Sequence, residues 1–154
     1  MKRCRVLLVA IFVAAALAAQ AVSQSVFDEK ADAHRQIAAA IGEASKTGKN
    51  VILDFGANWC GDCHALEAEM QKPELAALIA RSYVVVNVDV GRFDKNLDLA
   101  QKYRIPVKKG IPALAVLDAR GNLLYAQDQG QFEDARHMSY EAIKAFFEQW
   151  KPKG

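Results

Sequence analysis

The stretch Asp54-Phe55-Gly56-Ala57-Asn58-Trp59-Cys60-Gly61-Asp62-Cys63-His64 decides the fold. An apolar strand, Asn50 to Phe55, runs into it, and Leu66 and Met70 continue beyond it at helical spacing. Two cysteines at i and i+3 in the first turn of a helix share one face, close enough for a reversible disulfide. At a helix N-terminus the unpaired backbone N–H groups and the positive end of the macrodipole stabilise a thiolate, lowering its pKa from about 8.5. Cys60 is therefore the expected nucleophile and Cys63 the resolving thiol.

Working outward, the remaining pattern alternates helices and strands. Ser25 or Asp28 is the expected cap of a first helix, in which Ile37, Ile41 and Ala44 recur at helical spacing until Gly48 ends it. Past Met70, Pro73 interrupts the helix, and Leu75, Leu78 and Ile79 resume it. The β-branched run Tyr83 to Val90 suits a central strand with both faces covered. A short helix from Leu97 to Tyr103 leads into irregular backbone, Ile105 to Pro112. Strands Ala113–Leu117 and Leu123–Ala126 then flank the turn-rich Asp118-Ala119-Arg120-Gly121-Asn122 and read as a hairpin. A long connection, residues 127–138, precedes a last helix from near Ser139 that carries Ile143, Phe146, Phe147 and Trp150 on one face and stops before Pro152. The expected class is α/β, a mixed central sheet with helices on both faces in a three-layer sandwich.

Lys2, Arg3 and Arg5 precede an apolar run from Val6 to Ala19, with small residues at Ala19 and Ala21. This is the pattern of a secretory signal peptide over residues 1–21, which leaves 22–154 as one domain and a periplasmic or secreted destination. The run falls short of the roughly 20 residues that span a bilayer. Its removal takes three basic groups and no acidic ones, so the formal charge falls from +2 to −1. A nearly neutral domain without a basic stripe speaks against nucleic acid as a partner. Cys4 departs with the leader, and the pair that remains closes too small a loop to act as a structural staple.

These residues, together with Gly110-Ile111-Pro112-Ala113 downstream, resemble the thioredoxin superfamily over nearly the whole mature chain. The resemblance implies a thiol-disulfide oxidoreductase acting on protein disulfides, with catalytic Cys60, Cys63 and Asp54. Trp59, Gly61, Asp62, Ile111 and Pro112 would contact the substrate. It implies that Pro112 is cis and faces the cysteines, that the backbone before it pairs with the bound polypeptide, and that Trp59 covers the site. Asp54, flanked by Leu53 and Phe55, points inward, where burial raises a carboxyl pKa toward values useful for moving a proton to and from Cys63. The expected redox group is the Cys60–Cys63 disulfide itself, with no other cofactor and no metal. The expected partners are protein thiols and disulfides and a membrane thiol electron donor, and the chain is expected to be a monomer.

Two features depart from the family pattern. The lysine that pairs with the buried acid in thioredoxins has no counterpart between Tyr83 and Val90, and cytosolic thioredoxins have proline where this chain has Asp62. A carboxylate there opposes the helix dipole and disfavours the Cys60 thiolate, which leans the chemistry toward reduction or isomerisation. Three other readings use the same residues. Cys60-Gly61-Asp62-Cys63-His64 has the spacing of a c-type haem attachment site for electron transfer. Cys60 and Cys63 with distant His34 and His137 would make a zinc site. A non-catalytic binding module of the same fold is the third.

Overall fold

The computed structural model describes residues 25–153. The leader expected over residues 1–21, with Cys4, lies outside them. The elements follow the expected order: α1 (Ala33–Thr47), β1 (Asn50–Gly56), α2 (Gly61–Met70), α3 (Pro73–Ser82), β2 (Tyr83–Asp89), α4 (Leu97–Lys102), β3 (Ala113–Leu117), β4 (Leu123–Ala126) and α5 (Tyr140–Trp150). Short 3-10 turns occur at Val107–Lys109 and Ala135–His137. Local chemistry sets the boundaries. Gly48 closes α1 in the left-handed conformation at φ 72°, Pro73 occupies the first turn of α3, and the Ser139 hydroxyl accepts from Ala142 N–H to start α5.

The four strands lie in the order β2-β1-β3-β4, with β1 parallel to β2 and antiparallel to β3, and β3 antiparallel to β4. Alternation along β1 splits the core in two. Val51, Leu53 and Phe55 pack with Ile37, Ala44, Leu99 and Tyr103 on the α1 and α4 side. Ile52 joins Leu66, Leu75, Leu78, Ile143 and Phe147 on the α2, α3 and α5 side. The result is the expected three-layer sandwich with a mixed sheet at its centre. β1 is buried along its whole length, so whatever stands at its C-terminal end is held by the most protected strand of the sheet.

Two expectations are corrected. Among the described strands β2 is an edge, paired to β1 alone. Its run of valines arises because α1 and α3 pack against it, and face burial does not distinguish an edge from a centre. The cap of α1 is Asp32, whose carboxylate accepts from Arg35 N–H at 3.1 Å. Asp28 instead closes a turn of its own onto Lys30 N–H at 2.9 Å.

Candidate active site

Strand β1 delivers the chain to Gly56, a short loop follows, and α2 begins one residue after Cys60. The glycine is required by close approach: a Cβ at Gly56 would lie 2.9 Å from Phe27 Cε1 and 3.0 Å from Cys63 Sγ. Asn58 holds the loop in place. Its side-chain oxygen accepts from Phe27 N–H at 3.0 Å, and its amide donates to the Phe27 carbonyl at 2.8 Å and to Glu29 Oε1 at 3.1 Å.

Cys60 is the N-cap of α2, with extended backbone (φ −85°, ψ 112°) and its sulfur accepting from Cys63 N–H at 3.1 Å. A sulfur in the place usually taken by a serine or aspartate oxygen receives one of the orphan donors of the first turn. Cys60 and Cys63 are joined by a disulfide, their Cα atoms 5.3 Å apart, and both are buried. The Ile111–Pro112 peptide bond is cis, and the Ile111 carbonyl oxygen lies 3.4 Å from Cys60 Sγ. That oxygen can accept from Cys60 S–H only in the reduced, protonated form. Gln127 secures this segment: it is buried, accepts from Leu114 N–H at 3.2 Å and donates to the Pro112 carbonyl at 3.3 Å.

Trp59 is 48% exposed beside the disulfide. Its indole N–H donates to the Gly91 carbonyl at 2.8 Å, and its ring meets Phe93 edge to face at 5.6 Å. The loop that receives it is fastened by buried Asp89, which accepts from Lys95 Nζ at 3.0 Å and from Gly91 N–H at 3.1 Å. His64 is exposed, with Nε2 2.6 Å from the Asn58 carbonyl oxygen, an arrangement that needs the proton on that nitrogen.

Asp54 lies at the C-terminal end of β1, fully buried, and neither carboxylate oxygen has a hydrogen-bond partner among the described residues. Burial, with the negative charge of Glu67 adding to it, pushes the carboxyl up to about 7. Opposite it in the sheet stands Asn87, whose amide donates to the Val26 carbonyl. No lysine enters this pocket from β2.

Asp62 carries no isolated charge. Its carboxylate takes Arg136 N–H at 3.0 Å, Arg136 Nε at 3.1 Å and Arg136 Nη2 at 3.1 Å, and these bonds hold its carboxyl below the usual carboxylate range. The guanidinium also lies over Gly61, 3.7 Å from the position a Cβ would occupy. The structure thus gathers Trp59, Cys60, Gly61, Asp62, Cys63, Ile111 and Pro112 around one sulfur, with Asp54 buried at the end of the strand that feeds them. Asn58, Gln127 and Arg136 are the supports that the sequence did not single out. Only Gln127, a polar residue directly after a strand, sits where a local signal could have been sought.

His34 and His137, the distant ligands of the zinc reading, pair with Asp98 at 2.9 Å and Asp134 at 2.5 Å. Among the described residues no three His, Cys, Asp or Glu side chains are grouped to hold a metal ion. No described helix is long and apolar enough to cross a membrane.

Residues 32–119, more than half of the chain, match the model of a family described as thioredoxin-like. The chain belongs to the thioredoxin-like family. A crystal structure of a disulphide isomerase from Xylella fastidiosa Temecula1 superposes with a TM-score of 0.77 at 42% identity, covering 80% of this chain and 95% of that one. Thioredoxin-1 of Drosophila yakuba is 34% identical over 74 residues, which are 48% of this chain and 59% of the fly protein. Thiol:disulfide interchange protein DsbD of Colwellia psychrerythraea is 29% identical over 120 residues, 73% of this chain and 18% of that protein. The thioredoxin-like chain therefore spans only part of these two curated relatives. This thioredoxin-like chain carries its closely spaced cysteine pair at the start of α2.

Proposed function

We propose that this protein is an exported thiol-disulfide oxidoreductase that works on protein disulfides in the reductase or isomerase direction. The observation that carries the reading is the place of Cys60: a sulfur at the N-cap of α2, receiving a backbone N–H and facing the carbonyl that precedes a cis proline. A thiolate there is stabilised by the helix terminus, and a substrate disulfide laid along the Ile111 backbone presents a sulfur to it.

The chemistry begins from the reduced pair. Cys60 thiolate attacks one sulfur of the substrate disulfide, a new S–S bond forms as the old one breaks, and the departing substrate thiolate takes a proton. Cys63, once deprotonated, attacks Cys60 Sγ and releases the second substrate thiolate, which is protonated in turn. Two electrons pass to the substrate and the protein ends with the Cys60–Cys63 bond that the structure shows. Asp54 is the group suited to take the Cys63 proton, since a carboxyl near pKa 7 exchanges protons at neutral pH. Return to the dithiol needs a thiol donor, for which a membrane thiol carrier is the proposed class.

The direction is supported by the similarity to a disulphide isomerase over most of both chains. The charge of Asp62, which favours reduction when free, is held by Arg136 and lends less. Export rests on the basic, apolar and small-residue succession of residues 1–21.

Trapping tests the assignment of roles. Cys63→Ser is expected to accumulate mixed disulfides with substrate proteins on a non-reducing gel, and Cys60→Ser is not. Equal trapping by both variants would contradict the roles. Insulin reduction by dithiothreitol should run faster with the protein than without it, and equal rates would favour a binding module. A covalently attached, Soret-absorbing group on purified protein would replace the thiol chemistry with haem electron transfer.

A further inference from the structure

The connection from β4 to α5, residues 127–138, does more than link two elements. At one end Gln127 is fixed to the Pro112 carbonyl and to Leu114 N–H, and its amide also donates to Glu133 Oε2 at 3.1 Å. Glu133 packs against the approach to the cis proline, where a Cβ on Gly110 (φ 150°) would lie 2.6 Å from Glu133 Cβ. At the other end Arg136 grips Asp62 through one backbone and two side-chain bonds, 74 residues along the chain from it. One segment therefore fastens both pieces of backbone that flank the Cys60 sulfur.

We propose that Arg136 is a positioning residue of the disulfide centre: by holding Asp62 it cancels the carboxylate charge beside Cys60 and thereby sets the field that the Cys60 sulfur meets. This rests on the thiol-disulfide reading above. Asp62 is 14% exposed while Arg136 is 61% exposed, so the carboxylate is oriented toward its partner and the guanidinium remains open to solvent. The bidentate geometry fixes the pair in one arrangement, which a lysine with its single ammonium would reproduce in charge and less closely in shape.

Other titratable and charged groups stand on the elements around the centre. His64 lies on α2 and is turned to the Asn58 carbonyl. His137 follows Arg136 and is paired with Asp134. Arg92 lies over the Trp59 ring, 5.7 Å from its centroid, and Asp54 is buried at the end of β1. Only Asp62 and Arg136 form an ion pair across the first turn of α2; Asp134 also acts on Arg136 and His137 on Asp62, so removing either partner leaves the other only weakly compensated there.

The signs are opposite for the two halves of the pair. Arg136→Met uncovers a negative charge and should raise the ionisation midpoint of Cys60 by about half a pH unit, a shift expected of a pair whose guanidinium is open to solvent. Asp62→Asn uncovers a positive charge and should lower it by a similar amount. The double variant should return to the wild-type midpoint, and Arg136→Lys should stay near it. The midpoint is read from the pH dependence of Cys60 alkylation in the reduced full chain, and the equilibrium with glutathione is read on the same variants. Midpoints unmoved in both single variants, or moved in the same direction, would overturn the proposal. Loss of fold stability without a midpoint shift would give Arg136 a structural role only, and also overturn it. Insulin reduction by the wild type is measured alongside: an active wild type with insensitive midpoints sinks the Arg136 inference alone. An inactive wild type sinks the proposed function while the midpoints still decide the role of Arg136.

Discussion

Asp54 and Cys60 are two ionisable groups given opposite surroundings by one short piece of chain. Cys60 receives the Cys63 N–H at the helix start, which favours its anion, whereas Asp54 is cut off from water, which disfavours its own. The consequence for Asp54 is a pH-dependent stability whose sign follows from the shift. Below about pH 4 the carboxyl is neutral in both folded and unfolded chains. Between there and about 7 the unfolded chain ionises freely, while the folded one keeps its proton. The stability of the neutral buried form is thus complete in acid and is lost as pH rises through 7, on the order of 4 kcal/mol in all. Asp54→Asn should flatten this slope in urea unfolding measured from pH 4 to 8, and an unchanged slope would mean that the carboxyl is not buried as described. The inward direction of Asp54 was legible from Leu53 and Phe55 on either side. The Arg136 contact was not, because its two residues are far apart in sequence and nothing in a polar connection announces which arginine folds back.

At the scale of elements, α2, the cis-proline segment and the loop after β2 each bring one side of the site; buried Gln127 holds the second, buried Asp89 the third, and the Asp62–Arg136 pair ties the first to the connection before α5. Gln127→Ala would leave Leu114 N–H without its side-chain acceptor and the Pro112 carbonyl without a donor. A cost of about 1–3 kcal/mol in urea unfolding is expected, with slower insulin reduction; a change below a few tenths would show that Gln127 is not a support. Gly56→Ala should also destabilise, by about 1–3 kcal/mol, because the new methyl group presses on the Phe27 ring and on Cys63 Sγ. Element order was legible throughout, since Gly48 ends α1 before β1, Pro73 separates α2 from α3, Gly121 turns β3 into β4, and Pro152 follows the end of α5. Positions within the sheet were less so. A valine-rich run reports that both faces of β2 are covered, and it says nothing about whether a second strand lies alongside. The cap of α1 was missed for a related reason: Ser25, Asp28 and Asp32 all carry capping chemistry, and only the packing of Ala33 and Phe27 selects the last.

Across the whole molecule, the sandwich buries one core on each side of a four-stranded sheet and leaves the disulfide at one end of it. A surface hollow at the opposite end, between Gly48, Asp118 and Trp150, brings no cysteine or histidine with it. Because the Cys60–Cys63 loop spans a sequence separation of only 3, the fold does not depend on the bond for its integrity. Reduction should therefore leave the far-UV circular dichroism unchanged, and collapse of the helical signal on reduction would assign the disulfide a structural task. The most direct test counts free thiols in the folded full chain across a series of reduced-to-oxidised glutathione ratios. Cys60 and Cys63 should move together between bonded and free in a single two-electron transition, reversibly and without unfolding. Sulfurs that stay bonded, or free, at every ratio while the protein remains folded would contradict the account.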